Sequence, residues 1–273
     1  EEIKNRIERE QLQNARAEKE IKRLKAQAEV FAHKGGKLRF VAKKMRTAAE
    51  EAEENKVDVR KEDRAINEFT IPAQEFSRDF NGKTVQMDSV TLLRKGKEIQ
   101  RELNVIVRKD MHVIIAGPNG IGKTTLLKAL VNRTATGSKI PDEVKIGYYA
   151  QDFSTLDYNQ TAYECLAAVM DKPVRETVLR ATAAQFLLDG KALASDIRLL
   201  SEGQKGLLQF ARLTLLKPGL LILDEPTNHI NFRHLPIIAE ALDKFKGAIV
   251  MVSHAPEFVS LMRIDETIDL SKV

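Results

Sequence analysis

Apolar residues in the first part of the chain recur at Ile3, Ile7, Ala17, Ile21, Leu24, Ala28 and Phe31, a stripe of 3–4 spacing interrupted by Glu10 and Asn14. After Gly35-Gly36 the stripe resumes at Leu38, Val41, Met45, Ala48 and Ala52. One narrow stripe on each side of a flexible glycine reversal predicts an antiparallel helical hairpin over residues 1–57. Its first helix would be roughly 45 Å long at about 1.5 Å per residue. So narrow a stripe buries little, and the hairpin is expected to project from the main body. Residues 58–83 lose the pattern; their mixed charge, Pro72 and Asn81-Gly82 predict a connector.

Beyond that point the period changes. Strand-like runs at 85–93, 103–107, 112–116, 144–150, 220–223 and 248–252 are interspersed with helical patterns at 126–130, 161–170, 174–188 and 200–215. This is an α/β domain, and the chain divides into a charged helical part at 1–66 and a main domain at 67–273.

Charge and composition narrow the partners. The 273 residues carry a net charge of +5 and 30% charged side chains, a mildly basic surface that permits a nucleic-acid or ribosome partner. Cys165 is the single cysteine, so no intramolecular disulfide and no cysteine zinc cluster can form, which fits a reducing, cytoplasmic setting. No apolar run reaches the length of a membrane span and no signal peptide opens the chain. The chain starts without methionine, inside a helical pattern, and reads as a piece of a longer protein. Between Lys34 and Arg46 lie six basic residues (Lys34, Lys37, Arg39, Lys43, Lys44, Arg46) and no acidic one. They fall at the turn of the hairpin. A basic run is usually a solvated face; one at a projecting tip can meet nucleic-acid phosphates.

Chemistry concentrates at Gly117-Pro118-Asn119-Gly120-Ile121-Gly122-Lys123-Thr124-Thr125, which follows the strand pattern at 112–116 and opens the helical pattern at 126–130. This is G-x-x-x-x-G-K-[ST] in its strand–loop–helix setting. Glycines let backbone N–H groups curl around phosphate, and the helix N-terminus adds a positive dipole end. Lys123 is placed to reach the β- and γ-phosphates, and the Thr124 hydroxyl to ligate Mg²⁺. A second apolar strand, 220–223, ends in Asp224-Glu225. Asp224 can hold Mg²⁺ through water, and Glu225 can polarise an attacking water as general base.

Leu200-Ser201-Glu202-Gly203-Gln204, between those two elements, resembles the signature of ATP-binding cassettes. On that resemblance Gln151 is the Q-loop glutamine that contacts Mg²⁺ and the γ-phosphate, and His254 is the switch histidine. Ser201, Gly203 and Gln204 then serve a nucleotide held by a second cassette. Leu223-Asp224-Glu225-Pro226-Thr227-Asn228-His229-Ile230 resembles the ABC-F group more closely, as does the run 200–215. The group's proteins carry two cassettes joined by a charged helical linker that reaches towards ribosome-bound tRNA. The resemblance implies that 1–66 is that linker and 67–273 the second cassette, with ATP and Mg²⁺ as cofactors. It further implies a missing first cassette or another copy as partner, and a ribosome or tRNA contact through the tip at 34–46.

Some positions depart from the family pattern. Glu202 stands where Gly is usual, Asn231 where the D-loop has Asp, and Ala255-Pro256 follow His254. No aromatic residue lies between Thr91 and Lys109 to stack on adenine, which leaves Leu93 or Arg94 to cover the base. Two other classes fit the sequence less well. The ATPase subunit of a membrane transporter has no reason to carry an N-terminal charged hairpin. A DNA-maintenance ATPase carries its coiled coil between the phosphate loop and the signature, and here it precedes both.

Overall fold

The computed structural model describes residues 65–94 and 97–273; the expected hairpin at 1–57 and its tip at 34–46 lie outside the described residues, as do the side chains of Leu93 and Arg94. Two sheets organise the described part. Strands β1 (Lys83–Arg94) and β2 (Lys97–Arg108) form a long antiparallel ribbon, to which the two-residue β4 (Ser138–Lys139) adds on the β1 side. The second sheet has the order β5-β6-β7-β3-β8, built from β3 (His112–Ala116), β5 (Ile146–Tyr149), β6 (Leu220–Asp224), β7 (Ala248–Val252) and β8 (Glu266–Asp269). All its pairings are parallel.

The continuous apolar runs of β6 and β7 follow from burial on both faces. Alternate residues serve opposite layers. Leu221, Leu223, Ile249 and Met251 pack with Leu208 and Phe210 of α5 (Glu202–Leu216) and Ile238 of α6 (Leu235–Asp243). Leu220, Ile222, Ala248 and Val250 pack instead with Leu126, Leu127 and Leu130 of α1 (Lys123–Val131), and with Val85, Met87 and Val105 of the ribbon. Helices α2 (Ala162–Ala167), α3 (Glu176–Gln185) and α4 (Gly190–Ala194) form the helical subdomain against α5. A short α7 (Pro256–Val259) follows β7. Among the described residues no helix is long and apolar enough to cross a membrane.

The connector expected at 58–83 is corrected from residue 65 to 74, within the described residues. Ile66, Phe69 and Ile71 are core residues, each less than 8% exposed, and the Phe69 ring meets Phe186 edge-on at 4.6 Å. The Asn67 N–H donates to Gln185 O and the Gln74 N–H to Pro218 O, both at 3.0 Å, so this segment is stitched across the helical subdomain and the foot of β6. Its apolar residues are too few and too interleaved with charge to show a period.

Candidate active site

Four neighbouring parallel strands end on one side of the sheet, where open α/β sheets hold ligands. β3 runs into the loop at 117–122, β5 into Gln151, β6 into Glu225 and β7 into His254. These ends enclose a cleft of about 450 Å³ lined by Asn119, Gly120, Gly122, Lys123, Thr124, Thr125, Gln151, Asp224, Glu225 and His254, together with Asn228 and Val252. Residues separated by more than 130 positions in sequence are thus brought to one place.

The loop is shaped for an anion. Gly117, Gly120 and Gly122 have φ of +147°, +79° and +107°, values that side-chain-bearing residues rarely adopt. A Cβ on Gly117 would lie 3.3 Å from the Ile121 side chain, so the turn is also closely packed beneath. Ile121 itself is buried. Gly122 caps α1 and offers no side-chain acceptor to the first helical amides, leaving them to an incoming phosphate. The Lys123 ammonium donates to the carbonyls of Gly117 at 2.7 Å and Pro118 at 3.2 Å, which holds it over the loop.

The acidic side of the cleft is nearly dry. Asp224 is 1% exposed; Oδ1 accepts from the Thr124 hydroxyl at 3.3 Å, and Oδ2 has no partner among the described residues. Burial pushes the Asp224 carboxyl above the usual carboxylate range, the Thr124 hydroxyl opposes this, and the adjacent Glu225 charge adds to it. A hydroxyl and a carboxylate with a buried spare oxygen make an oxygen donor set suited to a hard cation such as Mg²⁺ held partly through water. Glu225 sits at φ +48°, a left-handed conformation that is costly without glycine and persists where neighbours fix it. Its Oε2 accepts the His254 backbone N–H at 3.0 Å, and its Oε1 lies 3.5 Å from His254 Nε2, too long for a strong hydrogen bond.

Gln151 is exposed at the cleft edge. Its backbone is set by a residue that sequence reasoning missed. The Gln209 amide, 1% exposed on α5, accepts from the Ala150 N–H and donates to the Ala150 carbonyl, both at 3.0 Å. Its oxygen also accepts from the Thr155 hydroxyl at 2.9 Å. A glutamine inside a buried helix face was the available signal. Asn228, named in the sequence only as part of the family motif, lines the cleft, and its N–H donates to Glu225 O at 3.1 Å.

The signature residues do not line this cleft. Ser201 caps α5: its hydroxyl accepts the Gln204 N–H at 3.2 Å, and the Gln204 side chain accepts the Ser201 N–H at 3.0 Å. That reciprocal cap uses the Gln204 oxygen locally. Glu202, the departure from the family pattern, has a partner: its Oε2 lies 2.8 Å from His229 Nδ1. Gly203 lets the same loop approach, since a Cβ there would be 3.3 Å from His229 O.

With this geometry in hand, comparisons place the chain among known proteins. The ABC transporter family profile matches residues 100–228. The ATP-binding protein Uup of Escherichia coli K12 is 31% identical over 258 residues, covering 92% of this chain and 39% of its own length. The ATP-binding cassette sub-family F member 3 of Rattus norvegicus is 33% identical over 189 residues, covering 67% of this chain and 26% of its own. The chain therefore spans well under half of these relatives. Among solved structures, the ATP-binding cassette MJ0796, a dimer in a post-hydrolysis state bound to ADP and Pi, superposes with a TM-score of 0.54 at 20% identity. That match covers 65% of this chain and 90% of the other, and it establishes the fold.

Proposed function

Since this chain belongs to the ABC-F group of ATP-binding cassette proteins, we propose that it binds and hydrolyses ATP with Mg²⁺ at an interface shared with a second cassette. We further propose that it does so in the cytoplasm, on the ribosome. The observation that carries the chemistry is the convergence of Lys123, Thr124, Gln151, Asp224, Glu225 and His254 on one cleft at the strand ends.

The roles follow from position. The glycine loop and the α1 N-terminus cradle the β-phosphate, and Lys123 offsets charge on the β- and γ-phosphates. Thr124, Asp224 and Gln151 would hold Mg²⁺, which when bound neutralises charge on the phosphate oxygens. Glu225 accepts a proton from the attacking water, and His254 steadies Glu225 while contacting the γ-phosphate. Ser201, Gly203 and Gln204, away from this cleft, serve nucleotide bound to the partner, either a first cassette of the parent protein or another copy. The solved dimer of MJ0796 supports pairing of cassettes.

The ribosome part rests on kinship with sub-family F proteins and on the basic run at 34–46. Its test is pelleting of a hydrolysis-blocked Glu225→Gln chain with ribosomes across a salt series. Reversing Lys37, Arg39, Lys43 and Lys44 to Glu is expected to abolish pelleting and leave ATP binding intact. Unchanged pelleting with an unchanged salt slope would return the tip to a solvated helix face.

A further inference from the structure

Two tyrosines follow one another on β5, Tyr148 and Tyr149, and both end in a buried hydroxyl with no hydrogen-bond partner among the described residues. Buried polar atoms are ordinarily paired, so each calls for an explanation. Successive strand residues point to opposite faces of a sheet, and the two hydroxyls sit in different surroundings. Tyr149 is on the α5 face, in an apolar layer. Its ring lies 4.8 Å from that of Phe210, and a Cβ on Gly206 would come within 3.0 Å of its hydroxyl. Burial pushes its pKa above the usual tyrosine range, and no carboxylate adds to the shift.

Tyr148 is on the other face, with Ile222 and the apolar residues of α1. The pairing of Tyr148 with Ile222 puts Asp224 two residues further along β6 and on that same face. There Asp224 Oδ1 accepts from the Thr124 hydroxyl of α1. Burial first, then the charges of Asp224 and Asp152, push the Tyr148 pKa above the usual range, so both carboxylates lie near its hydroxyl. Asp152 is already engaged through both oxygens, one paired with Lys128 at 2.7 Å and the other accepting the Ser154 N–H at 3.1 Å. Asp224 is not, since its Oδ2 is buried and unpartnered among the described residues. Tyr148 itself does not line the ATP cleft. A buried acceptor in the cleft wall and a buried donor off the cleft therefore share one face of the sheet, each without a partner.

We propose that Tyr148 is a positioning residue for the metal-binding carboxylate: its hydroxyl donates, through one buried water, to Asp224 Oδ2 and holds Oδ1 turned towards Thr124 and the cleft. No direct hydrogen bond joins the two atoms, and a water is the ordinary bridge across such a gap. Tyr148 touches neither nucleotide nor metal and acts through Asp224, as the outer partners of metal ligands do. The role rests on the proposed ATP and Mg²⁺ site, because the orientation of Asp224 matters there only to a bound cation.

The experiment measures the affinity of the hydrolysis-blocked Glu225→Gln chain for a fluorescent ATP analogue, once in saturating Mn²⁺ and once in excess chelator. The ratio of the two affinities reports the protein's own hold on the metal and needs no turnover. Adding Tyr148→Phe removes one hydroxyl and is expected to lower that ratio at least about threefold, the scale of one lost hydrogen bond. Affinity in chelator should be unchanged. The melting temperature of the nucleotide-free chain should not fall, since the hydroxyl has no protein partner to lose. Tyr149→Phe, equally conservative and facing the opposite layer, should keep the parent ratio. A parent ratio in Tyr148→Phe would overturn the role. So would an equal loss in Tyr149→Phe, or a lowered melting temperature in Tyr148→Phe, either of which makes the effect one of packing. A parent chain that binds the analogue equally well with and without Mn²⁺ would overturn the metal site itself, and this role with it.

Discussion

Glu225 Oε2 accepts the backbone N–H of His254 at 3.0 Å, so the carboxylate after β6 is anchored to the loop after β7. The bond uses one oxygen and leaves Oε1 buried without a hydrogen-bond partner among the described residues, 3.5 Å from His254 Nε2. Glu225→Gln retains an oxygen that can accept the same N–H, and the loop is expected to keep its shape. What disappears is the proton acceptor. ATP binding should persist while turnover falls roughly 10²-fold or more. Parallel measurement of nucleotide affinity and phosphate release checks this, and near-normal release would remove Glu225 as the base.

Lys123→Ala addresses the other side of the cleft. The ammonium is the cation nearest the loop, held at 2.7 Å from Gly117 O, and its loss leaves the bound phosphates without it. ATP affinity is expected to drop at least about tenfold, read by displacement of a fluorescent nucleotide. The melting temperature of the nucleotide-free protein should fall modestly, because the buried lysine also donates to the Gly117 and Pro118 carbonyls. A variant that binds ATP as tightly as the parent would show that the loop's amides suffice.

Gln209 tests positioning. Replacing it by Leu keeps the volume but leaves the N–H and C=O of Ala150 without their partners at a buried position. Each unpaired group costs about 1–3 kcal/mol, so urea unfolding should show a destabilisation of a few kcal/mol. Freed of that clamp, Gln151 is expected to lose its place at the cleft edge. Mg²⁺ dependence of hydrolysis should then shift to higher concentration. A loss of stability with unchanged Mg²⁺ dependence would make Gln209 a core residue only.

The clearest parts of this site in the sequence were the local ones. The loop at 117–125 and the pair Asp224-Glu225 each sit at the end of an apolar strand, so the pattern and the chemistry occur in the same short window. The segment at 65–74 was hidden because its meaning is non-local. Ile66 donates its N–H to His234 Nδ1, 168 residues away, and nothing in the neighbourhood of either residue announces the other. The long ribbon was half visible for a related reason. Residues 98–102 of β2 are charged or polar and exposed but for Ile99, with no apolar alternation, and only pairing with β1 makes them a strand. Gln209 belongs to the same class: a polar residue in a helical run gains its role from a backbone turn 59 positions earlier.

That bond between Ile66 and His234 has a pH consequence. His234 is buried, and desolvation lowers its pKa, with the Arg233 charge adding to the shift. Nδ1 must stay unprotonated to accept the Ile66 N–H. A histidine with a folded pKa below its unfolded value of about 6.5 is protonated first in the unfolded chain. Its contribution is fully present above that value and is lost as pH falls from there towards the folded pKa. Thermal melts from pH 7.5 to 5.5 should show a steeper loss for the parent than for His234→Gln, whose side chain can keep an acceptor without titrating. Equal slopes would mean that other groups govern the acid limb.

The composite arrangement yields the most discriminating test. Ser201 and Gly203 lie outside the cleft that holds Lys123 and Glu225, so on the proposed scheme no chain completes its own site. The 273-residue chain should then hydrolyse ATP at a rate that rises more than linearly with protein concentration. Two crippled variants sharpen the point. Ser201→Arg keeps an intact phosphate loop and spoils the signature; Lys123→Ala does the reverse. Each alone should be nearly inactive, because every pair of like chains has two defective sites. In a mixed pair, the Ser201→Arg chain supplies Lys123 and Glu225 while the Lys123→Ala chain supplies Ser201 and Gly203, which assembles one complete site of the two. Mixing in equal amounts is therefore expected to restore about a quarter of the parent rate, half the pairs being mixed and each having one working site. A Ser201→Arg chain that remains fully active alone, at a rate strictly proportional to its concentration, would place the whole of hydrolysis within one cassette.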